Sequence, residues 1–262
     1  MQPELNGRNA ILTGASKGMG PVIARFLAEA GADLVLFGRD LPAMESVAED
    51  VRALERRALV VSCDVSDPAS VTAAVQHASD FFGGRIDILV NGAGGTGPVE
   101  VSTIDTTPEA FDEVMAVNMR GVFLTIRAVL PTMMQQKFGK IVNIGGTWGL
   151  RGKALRMAYG ATKWGLRGIS KSVALEAGPY NINVNDVCPG IVEGPRVEHT
   201  LQVKAKKSGK TIDQIREESA ADYALRRFSQ PEDVANVVVF LCSEKSRQIT
   251  GQDIAVDGGW VI

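Results

Sequence analysis

Cysteine and histidine are scarce: the chain holds only Cys63, Cys188 and Cys242, and only His77 and His199. The cysteines are far apart and match neither a disulfide framework nor zinc-ligand spacing. The histidines stand alone, so no metal centre is expected. An excess of positive charge is also lacking. The formal net charge is −2, which argues against nucleic acid as a partner. No apolar run is read as membrane-spanning, and the polar stretch Met1 to Arg8 lacks the apolar core of a signal peptide. With the scattered cysteines, this predicts a cytoplasmic protein with no membrane partner. Repeats, low-complexity tracts and linkers are absent as well. Residues 1–262 are read as a single domain, long enough to bury a substantial core.

What is present is a rhythm. Short apolar runs at 9–13, 33–37, 58–62, 86–90, 140–144, 182–187 and 253–256 read as strands. Between them lie amphipathic stretches at about 20–30, 41–54, 68–82, 108–136 and 157–177, with one more after Pro231. Strands alternating with helices predict an α/β fold, a doubly wound, Rossmann-like and mostly parallel sheet with helices on both faces. Residues 194–228 break the pattern. The segment is charged, begins Gly194-Pro195-Arg196, and is too long for a plain connection. Its amphipathic part, 211–224, predicts a helical lid over a substrate.

The first strand runs into Thr13-Gly14-Ala15-Ser16-Lys17-Gly18-Met19-Gly20 and then a helix. Glycines between a strand and a helix let backbone approach a pyrophosphate, whose charge the helix N-terminus stabilises. The segment lacks the Gly-Lys-Ser/Thr ending of a P-loop. The fourth strand ends in Asn91-Gly92-Ala93-Gly94, Asn118 lies within Val117-Asn118-Met119-Arg120-Gly121, Tyr159 and Lys163 are four apart, and Pro189-Gly190 follows the sixth strand. In this order and at these positions, the segments resemble the motifs of the short-chain dehydrogenase/reductase family along nearly the whole chain.

The resemblance implies an NAD(P)-dependent alcohol dehydrogenase or carbonyl reductase. It places Gly14, Ser16, Lys17, Gly18, Met19 and Gly20 at the cofactor. Asp64 and Val65 would meet its adenine end, and Asn91, Ala93, Gly94, Pro189, Gly190 and Val192 would line the rest. The second strand ends in Gly38-Arg39, with no carboxylate at the first position to bind the ribose and repel a 2′-phosphate. Arg39, with Lys17, suits that phosphate, so NADP is expected ahead of NAD.

Tyr159 and Lys163 share one helical face. A phenol is a poor base at neutral pH, but a neighbouring ammonium and an oxidised nicotinamide both favour the phenolate. The pair can take a proton from an alcohol as hydride leaves, or return it to a carbonyl. The resemblance adds that Lys163 binds the nicotinamide ribose and that Asn118 supports a water linking Lys163 to solvent. One family residue is missing. A serine normally stands thirteen residues before the tyrosine, and here that position is Gly146. Thr147 would supply the hydroxyl if the loop were shifted by one residue; a water, a substrate group or a backbone N–H are the other candidates. The alternative is a catalytically impaired cofactor-binding sensor or assembly protein.

Arg156 lies one helical turn before Tyr159, and Arg196 lies at the start of the excursion. Arginines converging on a cleft suit a carboxylate or sulfonate, so the expected substrate is a small anionic hydroxy compound. Gly146 and Trp148 are expected to line its pocket. The family resemblance implies a homotetramer.

Overall fold

The computed structural model describes residues 3–262, with the side chain of Arg196 outside the description. Seven strands form one sheet: β1 (Asn9–Thr13), β2 (Asp33–Gly38), β3 (Ala58–Ser62), β4 (Ile88–Asn91), β5 (Gly139–Ile144), β6 (Ile182–Pro189) and β7 (Asp253–Val256). Their order is β3-β2-β1-β4-β5-β6-β7, with every pairing parallel. The helices are α1 (Gly20–Glu29), α2 (Leu41–Ala53), α3 (Pro68–Phe81), α4 (Pro108–Met115), α5 (Gly121–Gln136), α6 (Met157–Ala177), α7 (Pro195–Ser208), α8 (Ile212–Ala220) and α9 (Pro231–Cys242).

Alternation along the strands divides the core. Ala10, Leu12, Leu34 and Leu36 face α1, α2 and α9 on one side. Ile11, Val35, Phe37 and Leu89 face α3, α5 and α6 on the other. Six helices begin with proline in their first turn, at Pro21, Pro42, Pro68, Pro108, Pro195 and Pro231. There the missing N–H costs nothing and the fixed φ already suits the helix. Chain order reverses between β1 and β4, so their C-terminal ends open a crevice, the usual ligand position in such sheets.

Three sequence expectations need correction. The stretch 108–136 is not one regular helix, because a π turn, Ala116–Arg120, separates α4 from α5. It is also long and apolar enough, by length and composition, to cross a membrane, contrary to the reading that no such run exists. In this fold it packs Val122, Ile126, Val129 and Met133 against the sheet as a core helix does. The excursion holds two helices rather than one. α7 gives little amphipathic signal because its face is largely Lys, Glu and His, whereas α8 carries a capping box of Thr211 and Gln214.

Candidate active site

The glycine turn and the loop after β4 are built against each other. Gly14 has φ +73°, and a side chain there would stand 2.7 Å from the Ala93 backbone. The Thr13 hydroxyl accepts the N–H groups of Gly92 (3.1 Å) and Ala93 (3.0 Å), fixing the approach. Gly18 also has positive φ, and nothing lies within 4 Å of where its side chain would be. The turn is therefore open to a ligand and is followed directly by the N-terminus of α1, an arrangement that fits a pyrophosphate. Ser16 and Met19 are half-buried on the same turn, Val65 is buried after β3, and Val192 is half-buried beyond Pro189 and Gly190. Gly94 is exposed at the crevice.

Two cations stand at the adenosine end. Lys17 is 80% exposed with Asp40 at 3.9 Å, and Arg39 is 76% exposed with Asp64 at 3.8 Å. Both ion pairs are long and solvated, so neither holds its cation firmly. The Asp64 carboxyl is held below its ordinary range, chiefly by hydrogen bonds from the Ser66 hydroxyl and N–H, and less by Arg39.

Helix α6 turns Lys163, Leu166, Ser170 and Ala174 inward. Lys163 is buried and donates from Nζ to the Ile144 carbonyl at 2.8 Å, and Nζ lies 5.4 Å from the Tyr159 ring centre. Gly146 faces them both. A Cβ on it would meet the Tyr159 hydroxyl at 3.7 Å and Lys163 carbons at 3.9 Å, ordinary contact distances. The position thirteen before the tyrosine thus faces Tyr159 and Lys163, and Thr147 is buried in the turn that follows. A serine would fit. The neighbouring Gly145 N–H is engaged by Val187 O at 2.7 Å.

Asn118 sits in the π turn, buried. Its Oδ1 accepts from Gly95 N–H (2.7 Å) and its Nδ2 donates to Gly95 O (2.9 Å), with Thr162 Oγ1 at 3.4 Å. The carboxamide thus clamps the loop after β4 by its backbone. The π turn, a feature common at functional sites, carries this residue to the loop.

Arg156 does reach the site, but not as a free anion ligand. It is 6% exposed, and its Nη1 and Nη2 donate to Pro98 O (3.1 Å) and Thr96 O (3.0 Å). Its guanidinium carbon lies 4.8 Å from the Trp148 ring centre and 5.0 Å from that of Tyr159. Trp148 and Tyr159 meet edge to face at 5.6 Å. The Arg196 reading falls on a side chain outside the described residues. Arg151 stacks on Trp260 (5.0 Å), which packs against the cluster of Leu201, Ile215, Tyr223 and Phe228 within and after α7 and α8.

A buried polar chain beneath the site went unread in the sequence. Asn91 Nδ2 donates to Asn143 Oδ1 (2.8 Å), Asn143 Nδ2 to Ser170 Oγ (2.9 Å), and the Ser170 hydroxyl to Asp186 Oδ1 (2.5 Å). The one available clue is Ser170, seven residues after Lys163 on the same helical face. The partners on β4, β5 and β6 are brought together only by the sheet.

A family model described as enoyl-(acyl carrier protein) reductase matches residues 14–261. The D-β-hydroxybutyrate dehydrogenase of Rhizobium meliloti (strain 1021) is 36% identical, over 97% of this chain and 98% of its own. NAD+-bound xylitol dehydrogenase superposes with a TM-score of 0.92 at 28% identity, over 98% of this chain and 100% of the other. An actinorhodin polyketide ketoreductase with NADPH gives 0.90 at 30% identity, over 97% of each.

Proposed function

The chain belongs to the short-chain dehydrogenase/reductase family and is an NAD(P)-dependent oxidoreductase of hydroxyl or carbonyl groups; on that premise we propose that Tyr159 is its acid/base and that its substrate is a small anionic hydroxy compound. The observation that carries the proposal is the Tyr159 hydroxyl facing Gly146, with Lys163 beside it at the open end of the sheet. A bound nicotinamide supplies or accepts the hydride. Tyr159 takes the alcohol proton in one direction and returns it in the other. Lys163, fixed by the Ile144 carbonyl, adds positive charge and holds the nicotinamide ribose. Asn118 fixes the loop that closes one side. Gly14, Gly18 and Gly20 admit the pyrophosphate, while Asp64 and Val65 receive the adenine end.

The anionic reading is supported by the relative named for D-β-hydroxybutyrate, a small hydroxy acid. Arg196, in the first turn of α7, is its ligand in this proposal. Residues 194–228 then act as a lid over the substrate. Replacing Arg196 by alanine is expected to raise KM for the anionic substrate about tenfold or more and leave kcat within a few-fold, because a binding contact is lost and not an acid/base group. Steady-state kinetics across small hydroxy acids and their uncharged analogues checks this. An unchanged KM removes the anion from the proposal and leaves the acid/base assignment standing.

NADP is the preferred coenzyme in this reading, with Arg39 and Lys17 turning from Asp64 and Asp40 to a 2′-phosphate. Arg39→Ala is expected to weaken NADPH binding about tenfold, a charge-assisted contact discounted for its exposure, and to change NADH binding less than about twofold. Fluorescence titration with both coenzymes decides it. Equal losses for the two would take Arg39 away from the phosphate. A homotetramer is supported by the exposed aromatics Phe123 and Trp164 on α5 and α6, and a cytoplasmic setting by three buried free thiols.

A further inference from the structure

Arg156 unites three segments that come from different parts of the chain. The loop after β4 contributes the carbonyls of Thr96 and Pro98, the turn after β5 contributes Trp148, and the start of α6 contributes Tyr159. Two parallel N–H groups of one planar fork reach two carbonyls that are two residues apart. That match needs a guanidinium, since a lysine ammonium is a point donor. The same plane lies within cation–π range of two rings, and those rings brace each other edge to face.

The residue stands at the edge of α6, where its backbone carbonyl accepts Gly160 N–H at 2.8 Å. Its own backbone is outside helical geometry, at φ −139° and ψ 26°. It is therefore anchored at the helix start and at its tip. From the other side the β4 loop is held through Gly95 by Asn118. Between them, Arg156 and Asn118 fix residues 95–98 against the helix that bears Tyr159.

We propose that Arg156 is a positioning residue that sets the Tyr159 ring and the Thr96–Pro98 wall of the cleft as one unit. The inference rests on the reading of Tyr159 as acid/base. Losing the fork frees two carbonyls and opens the space beside the two rings, so the wall and the phenol move independently. Misplacement of a reacting group by about 1 Å commonly lowers the rate about a hundredfold.

The test uses the full-length protein as wild type, Arg156→Ala and Arg156→Lys. Hydrogen exchange is followed at the amides of Thr96, Gly97 and Val99, with acetoacetate and butane-2,3-dione reduced in parallel with NADPH and NADH. Both variants are expected to exchange at these amides at least about tenfold faster, with lysine failing to restore the wild-type rate. Millimolar methylguanidinium is expected to slow exchange again in Arg156→Ala. With either ketone, kcat falls about ten- to a hundredfold and KM changes little. A merely structural residue would lower the melting temperature without the guanidinium effect, which overturns the proposal. So does unchanged exchange with a raised KM for acetoacetate alone, the pattern of an anion ligand. If wild type reduces neither ketone, the anionic-substrate reading fails for that probe and the exchange result still decides this one.

Discussion

Replacing Tyr159 by phenylalanine is expected to lower kcat by about a hundred- to ten-thousandfold while NADPH or NADH still binds within about threefold. The range is what a positioned acid/base group contributes. The reason for expecting the upper part lies in what surrounds the hydroxyl. Lys163 Nζ is bonded to the Ile144 carbonyl, Gly146 has no side chain, and the nearby Cys188 thiol is buried. Burial pushes that thiol up to about 11, so Cys188 stays protonated at neutral pH and is no substitute base. Phenylalanine keeps the ring between Trp148 and Arg156, so folding should survive and the loss can be read as chemistry. Stopped-flow or steady-state turnover beside a coenzyme titration measures both halves. Turnover retained within tenfold would move proton transfer to another group.

Much of this site was legible in the sequence because its parts are local. The glycine turn, the Tyr159 and Lys163 pair on one helical face, and the apolar strand runs each depend on residues a few positions apart. Five strand assignments differ from the structure by no more than one residue at either end, because alternation along a strand is a local signal. β4 begins at Ile88 and not Ile86, since pairing with β1 starts at Ala10 and hydropathy does not report pairing. β6 likewise runs on to Pro189, where it pairs with β7. The π turn at Asn118 was hidden for a related reason, as one extra residue per turn leaves the apolar pattern almost intact. Arg156 shows the same limit in a functional residue. Its distance from Tyr159 along the chain placed it at the site, but Thr96 and Pro98 are about sixty residues earlier. Only the fold reveals that its donors are engaged by carbonyls.

The polar chain beneath the site leads to the second large effect. Asp186 is fully buried on β6, beside Asp253 on β7. Burial raises the Asp186 carboxyl to about 7; the hydrogen bonds from Ser170 and Asn143 work against the rise, and Asp253 adds to it. Burial raises Asp253 too, but Lys171 and Arg167 outweigh it and hold that carboxyl below its ordinary value. Asp186 Oδ2 and Asp253 Oδ1 are both buried without a hydrogen-bond partner, and one proton on Asp186 directed at Asp253 satisfies both. An unfolded aspartate ionises near pH 3.9. Between about pH 4 and 7 the folded chain therefore keeps a proton that the unfolded chain has lost. The contribution of Asp186 to stability is complete below pH 4 and disappears as pH rises through 7, a change of about 4 kcal/mol at most.

Asp186→Asn should remove that slope. The amide can accept from Ser170 with its oxygen and donate to Asp253 with its nitrogen, imitating the protonated acid at every pH. Relative to wild type, the variant is expected to gain stability from pH 5 to about pH 7 and to level off towards pH 8, where the difference is largest. The consequence reaches the active site through Asn143, whose neighbour Ile144 holds Lys163. Asp186 ends the hydrogen-bond chain that includes Asn143, so tolerance of alkaline pH is expected to rise with the substitution. Urea denaturation of both proteins at pH 5, 6, 7 and 8 measures it. Parallel stability curves across that range would mean that Asp186 carries no shared proton and that the two lone oxygens are satisfied in another way.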